Sequence, residues 1–533
     1  MRTQFMISVV LGVGFFLLLG LVFDQVWALW ILGFLSPLIL LGFYDMFQSK
    51  HAIRRNFPVI GHVRYLLEDI RPEIMQYFVE TDTEGRPINR IHRSLIYQRA
   101  KHVNDTAPFG TQLNVYETGY EWMEHSLYPI HDHEANHDPR VVVGGPDCKH
   151  PYSLSILNIS AMSFGSLSNR AVMALNAGAK MGNFAHNTGE GGISPHHLVN
   201  GGDLIWQIGT GYFGCRGDDG NFDAEKYKAN AQRPEVKLIE LKLSQGAKPG
   251  HGGILPASKN TEEIAAIRGV KPHTDVLSPP FHTAFNSPEG LMQFIAQLRE
   301  WSGGKPVGFK LCVGRRHEFM QLCMAMQKTG IKPDFITVDG GEGGTGAAPV
   351  EFSNSLGMPL RDGLAFVYNC LVGFDLKKDI KLIASGKVLT GFHIARAIAL
   401  GADACNSARA MMMATGCIQA LRCNNNTCPT GVATQDPSLI RGLNVEDKSL
   451  RVYQFHKLMI KAFVELLAAA GLKNGDEIRR DHINRRVSMN ATMTYEELYP
   501  NVYEGCLLDE GCAPPKEYAE WLEDAKSLQG RTY

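Results

Sequence analysis

The sequence predicts an α/β fold, a (β/α)8 barrel carrying a two-helix hairpin at its amino terminus. Three observations lead there. A long apolar segment opens the chain, short apolar runs bounded by Gly, Pro or Ser recur after residue 150, and several of these alternate with helix-like stretches. The 533 residues are 44% hydrophobic and 20% charged, enough for a sizeable core and unlike a disordered chain. Lys and Arg total 53 against 54 Asp and Glu, a net charge of -1 with no long basic block, which argues against nucleic acid and for small-molecule partners.

From Met6 to Tyr44 the only charge is Asp24, which separates two apolar stretches, Met6–Phe23 and Val26–Tyr44, each just long enough to span a bilayer. Asp24-Gln25-Val26-Trp27 offers no small-residue cleavage site, so the segment reads as two transmembrane helices and not as a signal peptide. Arg2 precedes the first, and Lys50, Arg54 and Arg55 follow the second. The positive-inside rule therefore puts both ends in the cytoplasm, anchors the chain in the inner membrane and leaves the catalytic part on the cytoplasmic side. A buried helical hairpin is the competing reading. The expected organisation is a hairpin over residues 1–50, a connecting region over 51–150, the barrel over 151–440 and a helical extension over 441–533. His131-Asp132-His133-Glu134 with His137 could ligate a metal, but alternating His and acid in a polar, Pro-flanked stretch reads better as a solvated loop.

Eight runs are candidate barrel strands: 155–160, 182–187, 236–243, 274–277, 307–312, 335–339, 382–385 and 403–407. Helices are expected at 167–181, 288–301, 318–328 and 392–400. In such a barrel the chemistry lies at the carboxyl ends of the strands. Gly209-x-Gly211-x-x-Gly214 matches a dinucleotide fingerprint, but Gly217-Asp218-Asp219-Gly220 follows where the helix should begin, so it is set aside. Gly386, in Ala384-Ser385-Gly386-Lys387, and Ser407 and Arg409, in Ala404-Cys405-Asn406-Ser407-Ala408-Arg409, follow the last two strands. Bare backbone there makes a phosphate pocket or simply two tight turns. Lys310, in Gly308-Phe309-Lys310-Leu311, ends another strand and would face the same mouth, where a flavin ring gathering negative charge on reduction would use it.

The most specific feature is Cys417-x5-Cys423-x4-Cys428-Pro429. Its spacing is wider than that of structural zinc pairs and fits an iron-sulfur cluster, of three irons unless a distant Cys supplies a fourth ligand. The other eight Cys, Cys506 and Cys512 included, are expected as small buried hydrophobes rather than disulfides.

The segment Arg422-Cys423-Asn424-Asn425-Asn426-Thr427-Cys428-Pro429-Thr430-Gly431-Val432-Ala433-Thr434-Gln435-Asp436-Pro437 closely resembles the cluster region of the glutamate synthases. The resemblance continues in Ser160-Ala161-Met162-Ser163-Phe164-Gly165, Asn187-Thr188-Gly189-Glu190-Gly191-Gly192, Gly246-Ala247-Lys248-Pro249-Gly250 and Gly343-Gly344-Thr345-Gly346-Ala347-Ala348-Pro349. It covers about residues 150–440. The resemblance implies an FMN-binding barrel with a 3Fe-4S cluster, in which 2-oxoglutarate and ammonia condense and the imine is reduced to glutamate by flavin hydride. Electrons would come from a ferredoxin or a separate reductase subunit. It also implies Cys417, Cys423 and Cys428 as cluster ligands, Glu190 and Lys248 as active-site acid and lysine, and FMN contacts from Ser163, Asn187, Lys310, Gly386, Ser407 and Arg409. Glu190 and Lys248 could alternatively form an ion pair that only shapes a loop.

Three departures stand out. His251 and Ile254 replace the Glu and Gln of the family's G-A-K-P-G-E-G-G-Q, and Gly341-Glu342 replaces His-Asp, so the acceptor need not be 2-oxoglutarate. The family's glutaminase part is missing, which leaves no internal ammonia source. Nucleotide dehydrogenases share the barrel and phosphate site but use one catalytic Cys. The competing function class is an electron-transfer or scaffold protein that keeps the cofactors without amination. The oligomeric state is not legible.

Overall fold

The computed structural model describes residues 1–103 and 106–528, in two compact units, Met1–Arg90 and Ile91–Tyr533. In the first, helix α1 (Arg2–Leu17) runs through a π-helical turn, Leu18–Val22, and a reversal at Asp24 (φ 56°) into α2 (Val26–Phe47). Both helices are long and apolar enough to cross a membrane. They approach closely because Gly20 and Gly42 present no side chain where Leu29 and Phe5 lie. Two further helices follow, α3 (Ala52–Asn56) and α4 (Gly61–Ile74).

The second unit is built on a closed barrel of eight parallel strands: β1 (Leu157–Ile159), β2 (His186–Asn187), β3 (Leu204–Ile208), β4 (Val236–Lys242), β5 (Val307–Leu311), β6 (Phe335–Asp339), β7 (Lys381–Ser385) and β8 (Ala404–Ser407). Neighbours pair in chain order, and β8 closes on β1 through Ser407 opposite Ile159. The strands are buried on both faces, so they read as continuous apolar runs with few, informative polar residues.

Seven of the eight expected runs are barrel strands. Residues 274–277 are not: Val276–Leu277 pairs antiparallel with Ile254–Leu255 in a loop outside the barrel. The third strand is Leu204–Ile208, which ends directly before the glycine-rich turn at Gly209. The expected helices occur at Asn169–Gly182, Pro288–Trp301, Arg316–Thr329 and Gly391–Ala399. Three of them start at hydroxyl caps, Ser168, Ser287 and Thr390, whose side chains accept first-turn N–H groups.

A hairpin, Arg140–Val143 paired with Tyr152–Ser155, plugs the amino-terminal end of the barrel. Val143 and Leu154 pack with Ala185, Ile205, Leu238, Phe335, Ile383 and Ala404 in a fully buried layer. That end is closed by hydrocarbon, which leaves the carboxyl ends of the strands as the open mouth. The long helix Val445–Ala469 packs on Asn169–Gly182, where Gly178 admits Val452. Its His456 stacks on Phe184 at 3.8 Å and reaches the Leu157 carbonyl at 3.0 Å. Cys506 and Cys512 are joined in a disulfide, Cα–Cα 5.3 Å, against the expectation that they are separate buried thiols. The chain turns tightly over Gly505–Leu508, and this brings the two residues together.

Candidate functional site

Strand alternation decides which polar side chains enter the barrel. On β4, Glu240 and Lys242 are two residues apart and share the inner face. The Glu240 carboxylate accepts hydrogen bonds from Asn187 Nδ2 at 2.8 Å, Gln207 Nε2 at 2.6 Å and Thr337 Oγ1 at 2.6 Å. This buried layer is fully partnered and fixes four strands relative to one another. Lys310 from β5 pairs with Asp339 from β6 at 3.2 Å, and Asp339 also accepts the Gly246 N–H at 2.9 Å. Burial alone would lower the Lys310 pKa. Asp339 and Glu240 outweigh it and hold the ammonium above its ordinary range.

Glu190 stands on the loop after β2, and its carboxylate pairs with Lys242 at 2.9 Å. Gly209 and Gly253 flank it, and a Cβ at either position would fall 2.7–2.8 Å from its carboxylate oxygens. The first glycine of the discarded dinucleotide pattern therefore makes room for this acid. Burial pushes the Glu190 pKa up, but Lys242 and Lys248 overcome it and hold the carboxyl below its usual range. Arg268 completes the group: its guanidinium donates to the Phe164 carbonyl at 3.1 Å, lies 3.5 Å from Ser163 Oγ, and its Nε is buried without a partner.

Lys248 does not pair with Glu190. Its ammonium donates to the Ala347 carbonyl at 3.1 Å, and burial lowers its pKa to about 8 against the pull of Glu190. Three cations, Lys242, Lys248 and Arg268, thus act on Glu190 in a place largely withdrawn from water.

The remaining expected residues fall at the same end of the barrel. Ser163 Oγ donates to Ser166 Oγ at 3.0 Å, and Asn187 bridges Glu240 and the Gly189 N–H. Gly386 follows β7 with φ 150°, and Ser407 ends the adjacent β8, its hydroxyl donating to the Val388 carbonyl at 2.7 Å. Arg409 donates to the Glu342 carbonyl at 2.5 Å. Glu342 itself accepts the Leu360 N–H at 2.9 Å, so this departure from the family pattern caps the helix Leu360–Gly373. His251 donates from Nδ1 to the Gly252 carbonyl and sets its ring edge-on to Phe352.

Cys417, Cys423 and Cys428 line one small enclosed cavity together with Met412, Thr430 and Val432. The backbone around it is strained: Gln419, Leu421 and Asn426 all have positive φ, costly for Leu421 in particular. Gln419 N–H points to Cys417 Sγ at 3.5 Å, and Thr430 Oγ1 lies 3.5 Å from Cys428 Sγ. Lys259, buried, ties this segment to the barrel, donating to the carbonyls of Ser166, Cys423 and Ala433. Among the described residues no three His, Cys, Asp or Glu side chains converge closely enough for a single metal ion.

Residues 132–473 match the model of the conserved region in glutamate synthase. The chain is 37% identical over 511 residues to a glutamate synthase large subunit-like protein of Bacillus subtilis, covering 88% of this chain and 97% of that one. The chain belongs to the glutamate synthase family. This is a family of flavoprotein oxidoreductases. An archaeal glutamate synthase [NADPH] of Methanocaldococcus jannaschii is 34% identical over 62% of each chain. The Bacillus subtilis glutamate synthase [NADPH] large chain is 33% identical over 60% of this chain but only 20% of its own length.

Within the glutamate synthase frame, sequence reasoning missed Lys242, Arg268, Glu240 and Asp339. Charged residues inside otherwise apolar strands were the available signal for Glu240, Lys242 and Asp339. Arg268, near the end of a short loop helix, carried none. A cavity of 880 Å³ opens elsewhere, beside residues that precede β7 and β8. Charges there pair among themselves, Lys377 with Asp403 and Arg479 with Asp481, each at 2.9 Å.

Proposed function

We propose that the chain is a membrane-anchored FMN and iron-sulfur oxidoreductase that reduces the imine of a 2-oxo acid and an amine to an amino acid. The observation that carries this reading is the charge around Glu190. Lys242, Lys248 and Arg268 all act on this one carboxylate, a local concentration of cations that suits an acceptor carrying carboxylates, such as 2-oxoglutarate or a relative.

The residues present fit FMN. Gly386, Ser407 and Arg409, at two adjacent strand ends, would hold the phosphate, and Arg268 Nε beside Ser163, buried without a partner among the described residues, would supply a further donor. Lys310, held charged by Asp339, would meet the negative charge that the ring gathers on reduction, and Asn187 and Ser163 would contribute hydrogen bonds. When bound, FMN supplies a hydride to the imine carbon. Cys417, Cys423 and Cys428 would hold the cluster, their three thiols lining one cavity. The cluster would pass electrons from a ferredoxin or reductase subunit.

The chain's own residues prepare the substrate. The three cations bind and orient the carboxylates and polarise the keto oxygen. Glu190, ionised because Lys242 holds it so, accepts a proton from the amine nitrogen as it bonds to the keto carbon and passes it to the keto oxygen, which becomes the hydroxyl of a carbinolamine. A second proton, relayed from the nitrogen in the same way, lets that hydroxyl leave as water and the C=N bond form. Arg2, Lys50, Arg54 and Arg55 support anchoring in the inner membrane with the barrel on the cytoplasmic side.

The test is anaerobic. The photoreduced protein is mixed with 2-oxo acids, ammonia or methylamine, singly and in pairs, and flavin absorbance is followed. Reoxidation that needs both partners supports the reading. Indifference to every pair, with normal reoxidation by ferredoxin, favours electron transfer alone.

A further inference from the structure

Helix α4 carries an apolar stripe that nothing in the established chemistry uses. Val63, Leu66, Leu67, Ile70 and Ile74 follow the spacing of a single helix face and are 38–60% exposed, and Phe78 in the following turn is 84% exposed. The rest of the helix is polar: Glu68 and Asp69 lie away from the stripe, Arg64 and Arg71 along one border and Glu73 along the other. A stripe this long has no reason to face water.

The joint that carries α4 is fixed. Asp45, fully buried near the end of α2, accepts the Val59 N–H at 2.9 Å and pairs with His62 Nε2 at 2.8 Å. Val59 is held at φ 62°, a conformation a β-branched residue adopts only when its surroundings impose it. Tyr65 is clamped between the Arg54 guanidinium, 4.3 Å from its ring centre, and the His51 ring at 4.9 Å. His62 and Tyr65 therefore face the joint, and the apolar stripe lies on the other side.

We propose that α4 is an interfacial helix lying in the headgroup layer of the bilayer, apolar face down, at the point where α2 leaves it. This rests on the reading that α1 and α2 span that bilayer. Three features select lipid over protein. The stripe is continuous with the membrane hairpin through a rigid elbow. The helix has a charged face and modest overall hydrophobicity, the pattern of in-plane helices. Arg64 and Arg71 border the stripe, so their stems can lie along it while their charges meet anionic headgroups.

The full chain, reconstituted in phosphatidylcholine–phosphatidylglycerol vesicles, would carry the photocrosslinker p-benzoylphenylalanine at one position per sample: Leu67 on the stripe, Glu68 on the polar face, or Phe34 in mid-α2. Lipid adducts are expected at Leu67 and Phe34 and lost at Glu68. Protein adducts, or none, at Leu67 while Phe34 still labels lipid would overturn the interfacial helix and leave the anchor standing. Absence of lipid adducts at Phe34 as well would remove the membrane reading and this proposal with it.

Discussion

Replacing Lys248 with Met separates a functional lysine from a structural one. Lys248 is 3% exposed, and its ammonium donates to the Ala347 carbonyl. Lowering its pKa from 10.5 to about 8 on folding opposes folding by about 3 kcal/mol at neutral pH, at 1.36 kcal/mol per tenfold. The sign follows from proton binding: between about pH 8 and 10.5 the unfolded chain holds more protons, so stability rises with pH through that window. Below about pH 8 the penalty is present in full. Losing the charge-assisted hydrogen bond costs about 2 kcal/mol, and the Ala347 carbonyl keeps Thr345 Oγ1 as a donor at 3.2 Å. Met is similar in length, so Lys248→Met should stabilise the protein by about 1 kcal/mol at pH 7, and should lose that advantage near pH 10. Turnover should fall by roughly 30- to 1000-fold, the effect of about 2 to 4 kcal/mol of transition-state binding. Urea unfolding followed through buried Trp206 at both pH values, beside single-turnover flavin oxidation, measures both quantities. A variant that is less stable at pH 7 yet turns over normally would show that Lys248 is structural and refute the reasoning.

Three further outcomes are expected. Cys423→Ser should abolish the paramagnetic signal of the oxidised cluster while FMN content, read from absorbance after heat release, stays at the wild-type level; an unchanged signal would remove Cys423 from the ligand set. Glu190→Gln should slow single-turnover imine reduction by about 100- to 10,000-fold through loss of proton transfer, with FMN content retained; near-normal rates would reassign Glu190 to holding Lys242. A chain beginning at Ile91 should be recovered in the supernatant with its flavin spectrum, and loss of flavin would make residues 1–90 part of the cofactor site.

Much of the barrel was readable because its strands are buried on both faces and therefore stand out as short apolar runs. Leu204–Ile208 was overlooked because its inward Gln207 interrupts the run and the glycine-rich turn behind it drew attention to a different motif. Residues 274–277 have strand-like chemistry, but their partner, Ile254–Leu255, is a loop segment, and pairing of that kind is invisible in one-dimensional periodicity. Where a residue type is unusual in its local setting, the sequence singles out side chains that the fold does gather, as for the three cysteines around one cavity and Lys310 inside the barrel. The partner of Glu190 was not legible. Lys242 lies 52 positions away in sequence, and only closure of the barrel brings β4 against the loop after β2. Cys506 and Cys512 were misjudged for a similar reason: a turn, not the spacing alone, makes them neighbours.

The central claim is that this mouth joins an amine to a 2-oxo acid and reduces the product. It is tested most directly by mixing the reduced protein anaerobically with 2-oxoglutarate and isotopically labelled ammonia or methylamine, and identifying what leaves by mass spectrometry. The account predicts labelled amino acid in an amount equal to the flavin oxidised, and none from Lys248→Met on the same timescale. Full flavin reoxidation without labelled amino acid from any 2-oxo acid would contradict it.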